Sequence, residues 1–77
     1  MSFSIFFKNN CPFCIKTENL FNANNLKYNK FVLDKDFNRD EFNYTFGDNS
    51  TFPRVFHDKE LIGGSDDTEI YLKKYLK

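Results

Sequence analysis

The chain lacks the features that mark several large classes of protein. Eleven basic and eleven acidic side chains leave no formal net charge, so nothing favours binding to nucleic acid or to an anionic membrane. No apolar run exceeds three residues, which excludes a hydrophobic membrane span. No basic stretch followed by an apolar one opens the chain, so we expect no secretory leader and a cytoplasmic protein. The 77 residues suffice for one domain, residues 1–77, and are too few for two.

Cysteine is also scarce, since the chain has only Cys11 and Cys14. A disulfide between them would close so short a loop that it would remove little entropy from the unfolded chain. A chain without a secretory leader normally keeps its thiols reduced. The pair is therefore predicted to serve chemistry rather than stability. The core is instead expected to be aromatic, because eleven Phe and four Tyr make up 19% of the chain.

The spacing of the apolar residues predicts seven elements in the order β-α-β-α-β-β-α. The predicted strands cover residues 2–8, 28–33, 54–57 and 61–62, and the predicted helices cover 12–24, 36–46 and the chain from 65 onward. The first βαβ unit implies a parallel strand pair, and the late hairpin implies an antiparallel one. We therefore expect an α/β fold with a four-stranded mixed sheet flanked by three helices.

Local signals refine the ends of these elements. Pro12 suits the first turn of a helix, where its missing N–H is not needed. Asp66 and Glu69 have the spacing of a capping box at the start of the last helix. His57 is placed in the hairpin turn, where we expect it to face solvent and assign it no chemistry.

The two cysteines are predicted to lie where the first strand leads into the first helix. Cys11 would occupy the N-cap or first turn, where the helix dipole and free N–H groups stabilise a thiolate. Lys8, three residues earlier, would add a positive charge nearby. Cys14 lies one turn further on and is expected to point inward, to be less exposed and to be less acidic. This arrangement favours redox chemistry.

Two other interpretations of the pair remain open at this stage. The cysteines could be inert buried thiols, or they could form half of a zinc site. Zinc would need two more ligands, and His57 is the only other soft candidate. We therefore expect no metal.

Three segments of the chain resemble the signatures of dithiol glutaredoxins, a family within the thioredoxin-like superfamily. They are residues 8–14 (KNNCPFC), 51–56 (TFPRVF) and 63–67 (GGSDD), in the family's order and at its spacing. The resemblance covers essentially the whole chain and implies a thioredoxin-like fold with a single glutaredoxin domain over residues 1–77. It implies a glutathione-dependent enzyme that reduces protein disulfides and glutathione mixed disulfides through Cys11 and Cys14. Pro12 and Cys14 separate the chain from monothiol relatives that carry iron–sulfur clusters.

The same resemblance implies a binding site for glutathione as co-substrate. Pro53 resembles the family's cis-proline, which would present the Phe52 backbone to the cysteinyl group of glutathione. Lys8 would meet the glycyl carboxylate, and Arg39 is a further candidate there. The start of the last helix would hold the γ-glutamyl end, with backbone N–H groups on its carboxylate and an aspartate on its ammonium. The implied glutathione contacts are Lys8, Phe13, Thr51, Phe52, Pro53, Gly64, Ser65, Asp66 and Asp67.

Some positions depart from the commonest family pattern, and rival functions follow from the same residues. Phe13 replaces a frequent Tyr, Phe52 replaces a frequent Val, and Ser65 stands where many relatives carry a third Cys.

One rival is a small redoxin reduced by thioredoxin reductase and serving ribonucleotide reductase. Another is a non-catalytic module that docks partners at Phe52 and Pro53. The expected partners are glutathione and disulfide-containing or glutathionylated proteins, with ribonucleotide reductase as a client implied by the resemblance alone, and the protein is expected to be a monomer.

Overall fold

Seven elements are present in a computed structural model that describes residues 2–48 and 50–76. Their order is the predicted β-α-β-α-β-β-α. None of the helices within these ranges is long and apolar enough to span a bilayer. The elements are β1 (Phe3–Phe7), α1 (Pro12–Ala23), β2 (Tyr28–Val32), α2 (Arg39–Phe46), β3 (Arg54–His57), β4 (Glu60–Gly63) and α3 (Ser65–Tyr75).

The four strands form one mixed sheet in the order β2-β1-β3-β4. β1 runs parallel to β2, with Phe3 opposite Tyr28, and antiparallel to β3, with Phe3 opposite His57. β3 and β4 form the antiparallel hairpin, with a register shift between Val55 and Phe56. The predicted mixed sheet and thioredoxin-like topology are therefore confirmed.

One face of the sheet forms the closed core beneath α1 and α3. Alternate residues of β1 are buried, as expected for a strand with one covered face, and Phe3 packs against Phe21 of α1 with ring centroids 5.0 Å apart. Two buried threonines satisfy their hydroxyls within their own helices, because each donates to the carbonyl four residues earlier. The fully buried side chains on these elements include Ile5, Cys14, Thr17, Phe21, Val55, Thr68 and Leu72.

The other face of the sheet carries a layer of phenylalanine rings under α2. Phe6 is at its centre, with four other ring centroids between 5.2 and 6.1 Å away. The neighbouring rings are those of Phe31, Phe37, Phe46 and Phe56. Most of the rings in this layer are only half-buried. Aromatic side chains therefore cover both faces of the sheet, but only the face under α1 and α3 is a closed core.

The predicted start of α2 at Asp36 is wrong by three residues. The Asp36 carboxylate accepts the backbone N–H of Val32 at 2.8 Å, which holds residues 33–37 in a turn. The helix begins at Arg39, after an Asn38 N-cap that forms a reciprocal capping box with Glu41. The consequence is that Arg39 occupies the first position of the helix.

The predicted capping box at the start of α3 is also wrong. Gly64 is the N-cap and no side chain caps the helix, whereas Asp66 lies within its first turn. The backbone N–H groups at this end of the helix are therefore left without a side-chain cap.

The prediction that His57 faces solvent is wrong as well. His57 is the last residue of β3 and shares a face with Val55, so strand alternation directs it into the core beside α3. Its ring stacks on Phe3 with centroids 4.3 Å apart, and its Nδ1 lies 2.6 Å from the Tyr71 hydroxyl. His57 is therefore part of the packing between the sheet and α3.

Candidate active site

Cys11 is the N-cap of α1, which is one of the two positions that the sequence predicts for it. Pro12 provides the first helical position, and Asn10 turns the chain with a φ of 60° just before it. The Cys11 sulfur accepts the backbone N–H of Cys14, with 3.3 Å between the nitrogen and Sγ. An N-cap sulfur in this position lies at the positive end of the helix dipole.

Cys14 lies one turn deeper and is completely buried in the core. Burial is the main reason that the pKa of the Cys14 thiol is raised to about 12, and the hydrogen bond with Cys11 raises it further. The backbone of Lys8 acts in the opposite direction. Both cysteines are free thiols. The prediction that Cys14 points inward and is the less exposed thiol is confirmed.

The segment before β3 passes beside Cys11. The peptide bond between Phe52 and Pro53 is cis, which confirms the expected cis-proline. Pro53 is fully buried, and the Phe52 carbonyl oxygen lies 4.0 Å from the Cys11 Sγ. The backbone of Phe52 therefore lies next to the reactive sulfur.

Two glycines allow the start of α3 to pack against this segment. Gly63 has a φ of +130°, and a Cβ there would clash with the Asp67 carboxylate. A Cβ on Gly64 would lie 3.7 Å from the carbonyl oxygen of Pro53, so the two backbones are close neighbours. The uncapped N-terminus of α3 consequently faces the same region as Cys11.

These elements enclose a groove made of two adjoining cavities. The Lys8 half has a volume of about 320 Å³ and the Asp66 half about 410 Å³. Phe13, Thr51 and Phe52 line both halves, so the groove is continuous. The Lys8 half is lined in addition by Lys8, Asn10, Cys11, Pro12, Arg39 and Ser50, and the Asp66 half by Arg54, Gly64, Ser65, Asp66 and Asp67.

The two halves of the groove carry different charges. The residues that line the Lys8 half include two cations and no carboxylate. The Asp66 half contains Arg54, both first-turn aspartates of α3 and the uncapped N–H groups of that helix. The groove can therefore complement a ligand that has a carboxylate at one end and an amino acid group at the other.

The structure brings the predicted site residues together. Nine of them, including Arg39, line the groove with Cys11, whereas Cys14 and Pro53 are buried beside it. Sequence reasoning missed Asn10, Pro12, Ser50 and Arg54 as lining residues, although Arg54 directly follows Pro53. Within residues 2–48 and 50–76, no three His, Cys, Asp or Glu side chains are grouped as a metal site would need.

Comparison with known proteins places this geometry in a family. The family model for glutaredoxin matches residues 3–62. Glutaredoxin 1 of Francisella tularensis, solved with cacodylate, is 26% identical with a TM-score of 0.77, over 97% of this chain and 95% of that one. Reduced Escherichia coli glutaredoxin is 25% identical with a TM-score of 0.72, over 99% and 98%. A buckwheat glutaredoxin–glutathione complex is 25% identical with a TM-score of 0.76, over 94% and 68%.

A curated relative combines a similar segment with further sequence. The hybrid peroxiredoxin hyPrx5 of Haemophilus influenzae is 39% identical over 70 residues, which are 91% of this chain. The match covers 29% of that protein, so the present chain spans less than a third of the relative's length.

Proposed function

This chain belongs to the glutaredoxin family of thiol–disulfide oxidoreductases, and we propose that it is a glutathione-dependent member that reduces protein disulfides and glutathione mixed disulfides. One observation carries the proposal. The Cys11 sulfur accepts a helix N-terminal N–H in a groove that has Lys8 and Arg39 in one half, and Asp66 and Asp67 beside Arg54 in the other. Glutathione has carboxylates at both ends and an ammonium at one, which this arrangement complements.

The groove suggests how glutathione would bind. Its glycyl carboxylate would lie near Lys8 and Arg39, and its cysteinyl backbone would pair with Phe52 next to the Cys11 sulfur. The backbone N–H groups of Ser65 and Asp66 would donate hydrogen bonds to the γ-glutamyl carboxylate. The carboxylate of Asp66 or Asp67 would pair with the γ-glutamyl ammonium. The buckwheat glutaredoxin solved in complex with glutathione supports glutathione as the ligand.

Reduction of a glutathione mixed disulfide needs Cys11 alone. The Cys11 thiolate attacks the glutathione sulfur, a Cys11–glutathione disulfide forms, and the substrate leaves as a thiolate that takes up a proton. A second glutathione thiolate then attacks the glutathione sulfur of this adduct. That exchange releases glutathione disulfide and returns the Cys11 thiolate.

Reduction of a protein disulfide needs both cysteines. Cys11 attacks first and forms a mixed disulfide with the substrate, which releases one substrate thiolate. Cys14 then loses its proton, attacks the Cys11 sulfur and releases the second substrate thiolate, leaving a Cys11–Cys14 disulfide. Two glutathione molecules reduce that disulfide in two exchanges and leave as glutathione disulfide.

A peroxiredoxin is the client that a specific observation favours. The segment of hyPrx5 that matches this chain belongs to a protein named as a hybrid peroxiredoxin, and the identity is 39%. We propose that this chain reduces a disulfide or glutathione mixed disulfide of a peroxiredoxin. Ribonucleotide reductase is a further candidate client that rests on the family resemblance alone.

The reductant can be tested in a coupled assay with a glutathionylated peptide as substrate. One series contains glutathione, glutathione reductase and NADPH, and the other contains thioredoxin reductase and NADPH. We expect turnover in the glutathione series and none above background with Cys11→Ser. Turnover only with thioredoxin reductase would favour the redoxin alternative, and no turnover in either would favour a binding module.

A further inference from the structure

The ring of Phe52 has two positive charges next to it. The Lys8 Nζ lies 5.7 Å from the ring centroid, and the Arg39 Cζ lies 5.3 Å from it. Both distances are within the range of about 6 Å over which an aromatic ring attracts a cation. Lys8 follows β1 and Arg39 begins α2, so the ring connects cations that reach the groove from different elements.

The ring itself is held firmly. It stacks on Phe42 with centroids 4.1 Å apart and planes inclined by 18°, and Phe37 lies 6.1 Å away. Only 8% of Phe52 is exposed, and the next residue, Pro53, is fully buried. The ring is therefore a fixed surface on the wall of the groove.

Lys8 and Arg39 share the Phe52 ring as a contact surface. Within residues 2–48 and 50–76, neither Lys8 nor Arg39 takes part in an ion pair. The ion pairs there join Lys16 to Glu69 and Lys30 to Glu18. No carboxylate lines the Lys8 half of the groove. Two like charges repel, and long side chains lose conformational freedom when they are held in one place, so contact with the ring opposes both effects.

We propose that Phe52 is a positioning residue whose ring holds Lys8 and Arg39 beside Cys11 and so makes the site select disulfides that carry carboxylates. The inference rests on the proposed function, because the selected reaction is thiol exchange at Cys11. Valine, which is frequent here in the family, has no ring face to offer a cation. The ring's role is separate from that of the Phe52 backbone, which any residue at this position would provide.

The selectivity can be measured on a single chemical step. In a Cys14→Ser protein, the Cys11 thiolate attacks a symmetrical disulfide, forms one mixed disulfide and releases one thiolate. Acid quenching and intact mass spectrometry give the second-order rate constant. The ratio of rate constants for glutathione disulfide and for neutral bis(2-hydroxyethyl) disulfide is the selectivity.

We expect Phe52→Leu to lower this ratio about tenfold, which corresponds to the loss of two exposed cation–ring contacts. Phe52→Tyr keeps the ring face and should hold the ratio within about twofold of the parent. When Lys8→Gln and Arg39→Gln are both present, Phe52→Leu should cause no further fall. The proposal is overturned if Phe52→Leu leaves the ratio unchanged, or lowers it equally with and without the two cations.

A second measurement does not depend on activity. In the reduced protein, the heteronuclear NOE of the Arg39 Nε–H group should fall in Phe52→Leu and be retained in Phe52→Tyr. An unchanged NOE in Phe52→Leu would overturn the positioning role. If the Cys14→Ser protein reacts with neither disulfide, the proposed function fails, while the NOE still decides whether the ring orders Arg39.

Discussion

Cys11 and Cys14 are one helical turn apart, yet the surroundings of the two thiols differ. The Cys11 sulfur lies in the groove, accepts a backbone N–H and is next to the wall that Lys8, Arg39 and Phe52 form. Cys14 is completely buried, and its burial raises the pKa of its thiol to about 12. The same first turn of α1 therefore presents one sulfur to a substrate and keeps the other protonated in the core.

The difference assigns the two cysteines different steps. Cys11 lines the groove and can meet an incoming disulfide there, whereas the completely buried Cys14 thiol, with its raised pKa, must lose its proton before it attacks. Cys14 is thus suited to an intramolecular step, in which a mixed disulfide on Cys11 is already one turn away. The predictions below test this division of roles.

The largest effect is expected in the reduction of a protein disulfide. Cys11→Ser should reduce the rate to the uncatalysed background, because the attacking sulfur is lost. Cys14→Ser should accumulate a stable mixed disulfide between Cys11 and the substrate, visible as an intact-mass increase. Rapid protein-disulfide turnover by Cys14→Ser, without an accumulated adduct, would contradict a resolving role for Cys14.

A large difference is also expected in alkylation. With limiting iodoacetamide at pH 7, peptide mapping should find the label on Cys11, because Cys11 lines the groove whereas Cys14 is completely buried and the pKa of its thiol is raised to about 12. The alkylation rate of Cys14 should increase about tenfold per pH unit without a plateau below pH 10, as its thiolate fraction increases. Protein unfolded in urea is the control, in which both cysteines should react alike. Comparable labelling of both cysteines in the folded protein would contradict the difference in surroundings between Cys11 and Cys14.

The raised pKa of Cys14 also predicts a smaller effect on stability at alkaline pH. The folded-state pKa of about 12 lies above the ordinary value of 9.0, so the unfolded chain releases this proton first. The stabilisation is therefore complete below pH 9 and is lost between pH 9 and about 12, with a slope of at most about 1.4 kcal/mol per pH unit. Urea unfolding of the reduced protein should show a steeper alkaline decline than Cys14→Ala. If the free energy of unfolding falls with the same slope at alkaline pH in both proteins, the pKa of Cys14 is not raised.

The smallest effect is expected on the binding of glutathione in the Asp66 half of the groove. Asp66→Asn or Asp67→Asn should raise the KM for glutathione about three- to fivefold, whichever carboxylate meets the ammonium. Glu69→Gln is the matched control, because Glu69 is on the same helix but pairs with Lys16 outside the groove. Alkylation of Cys11 should be the same in all three variants. A larger KM effect for Glu69→Gln than for either aspartate would contradict the assignment.

The sequence predicts much of this site because the signals there are local. A proline directly after Cys11 specifies the N-cap position of that cysteine, and helical periodicity places Cys14 on the inner face. The family resemblance adds Pro53 and the start of α3, which no local pattern could bring next to Cys11. The sequence therefore predicts the surroundings of both thiols in outline.

The sequence-based predictions fail where competing local patterns decide the start of a helix, or where tertiary contacts decide which side chains are buried. Both Asp36 and Asn38 can begin a turn or cap a helix, and the bond from Asp36 to the Val32 N–H selects Asn38 as the cap. The turn pattern predicts that His57 faces solvent, whereas strand alternation places it with Val55 in the core. The contacts of Phe52 with Lys8 and Arg39 join three separate segments, so no sequence pattern reveals them.

One measurement tests the division between the cysteines most directly, namely the rate at which a glutathione mixed disulfide is reduced with glutathione as the reductant. Wild type, Cys14→Ser and Cys11→Ser would be compared on one glutathionylated peptide. Because this route needs a single attacking sulfur, Cys14→Ser should remain active while Cys11→Ser falls to background. A Cys14→Ser protein as inactive as Cys11→Ser, or an active Cys11→Ser protein, would contradict the account.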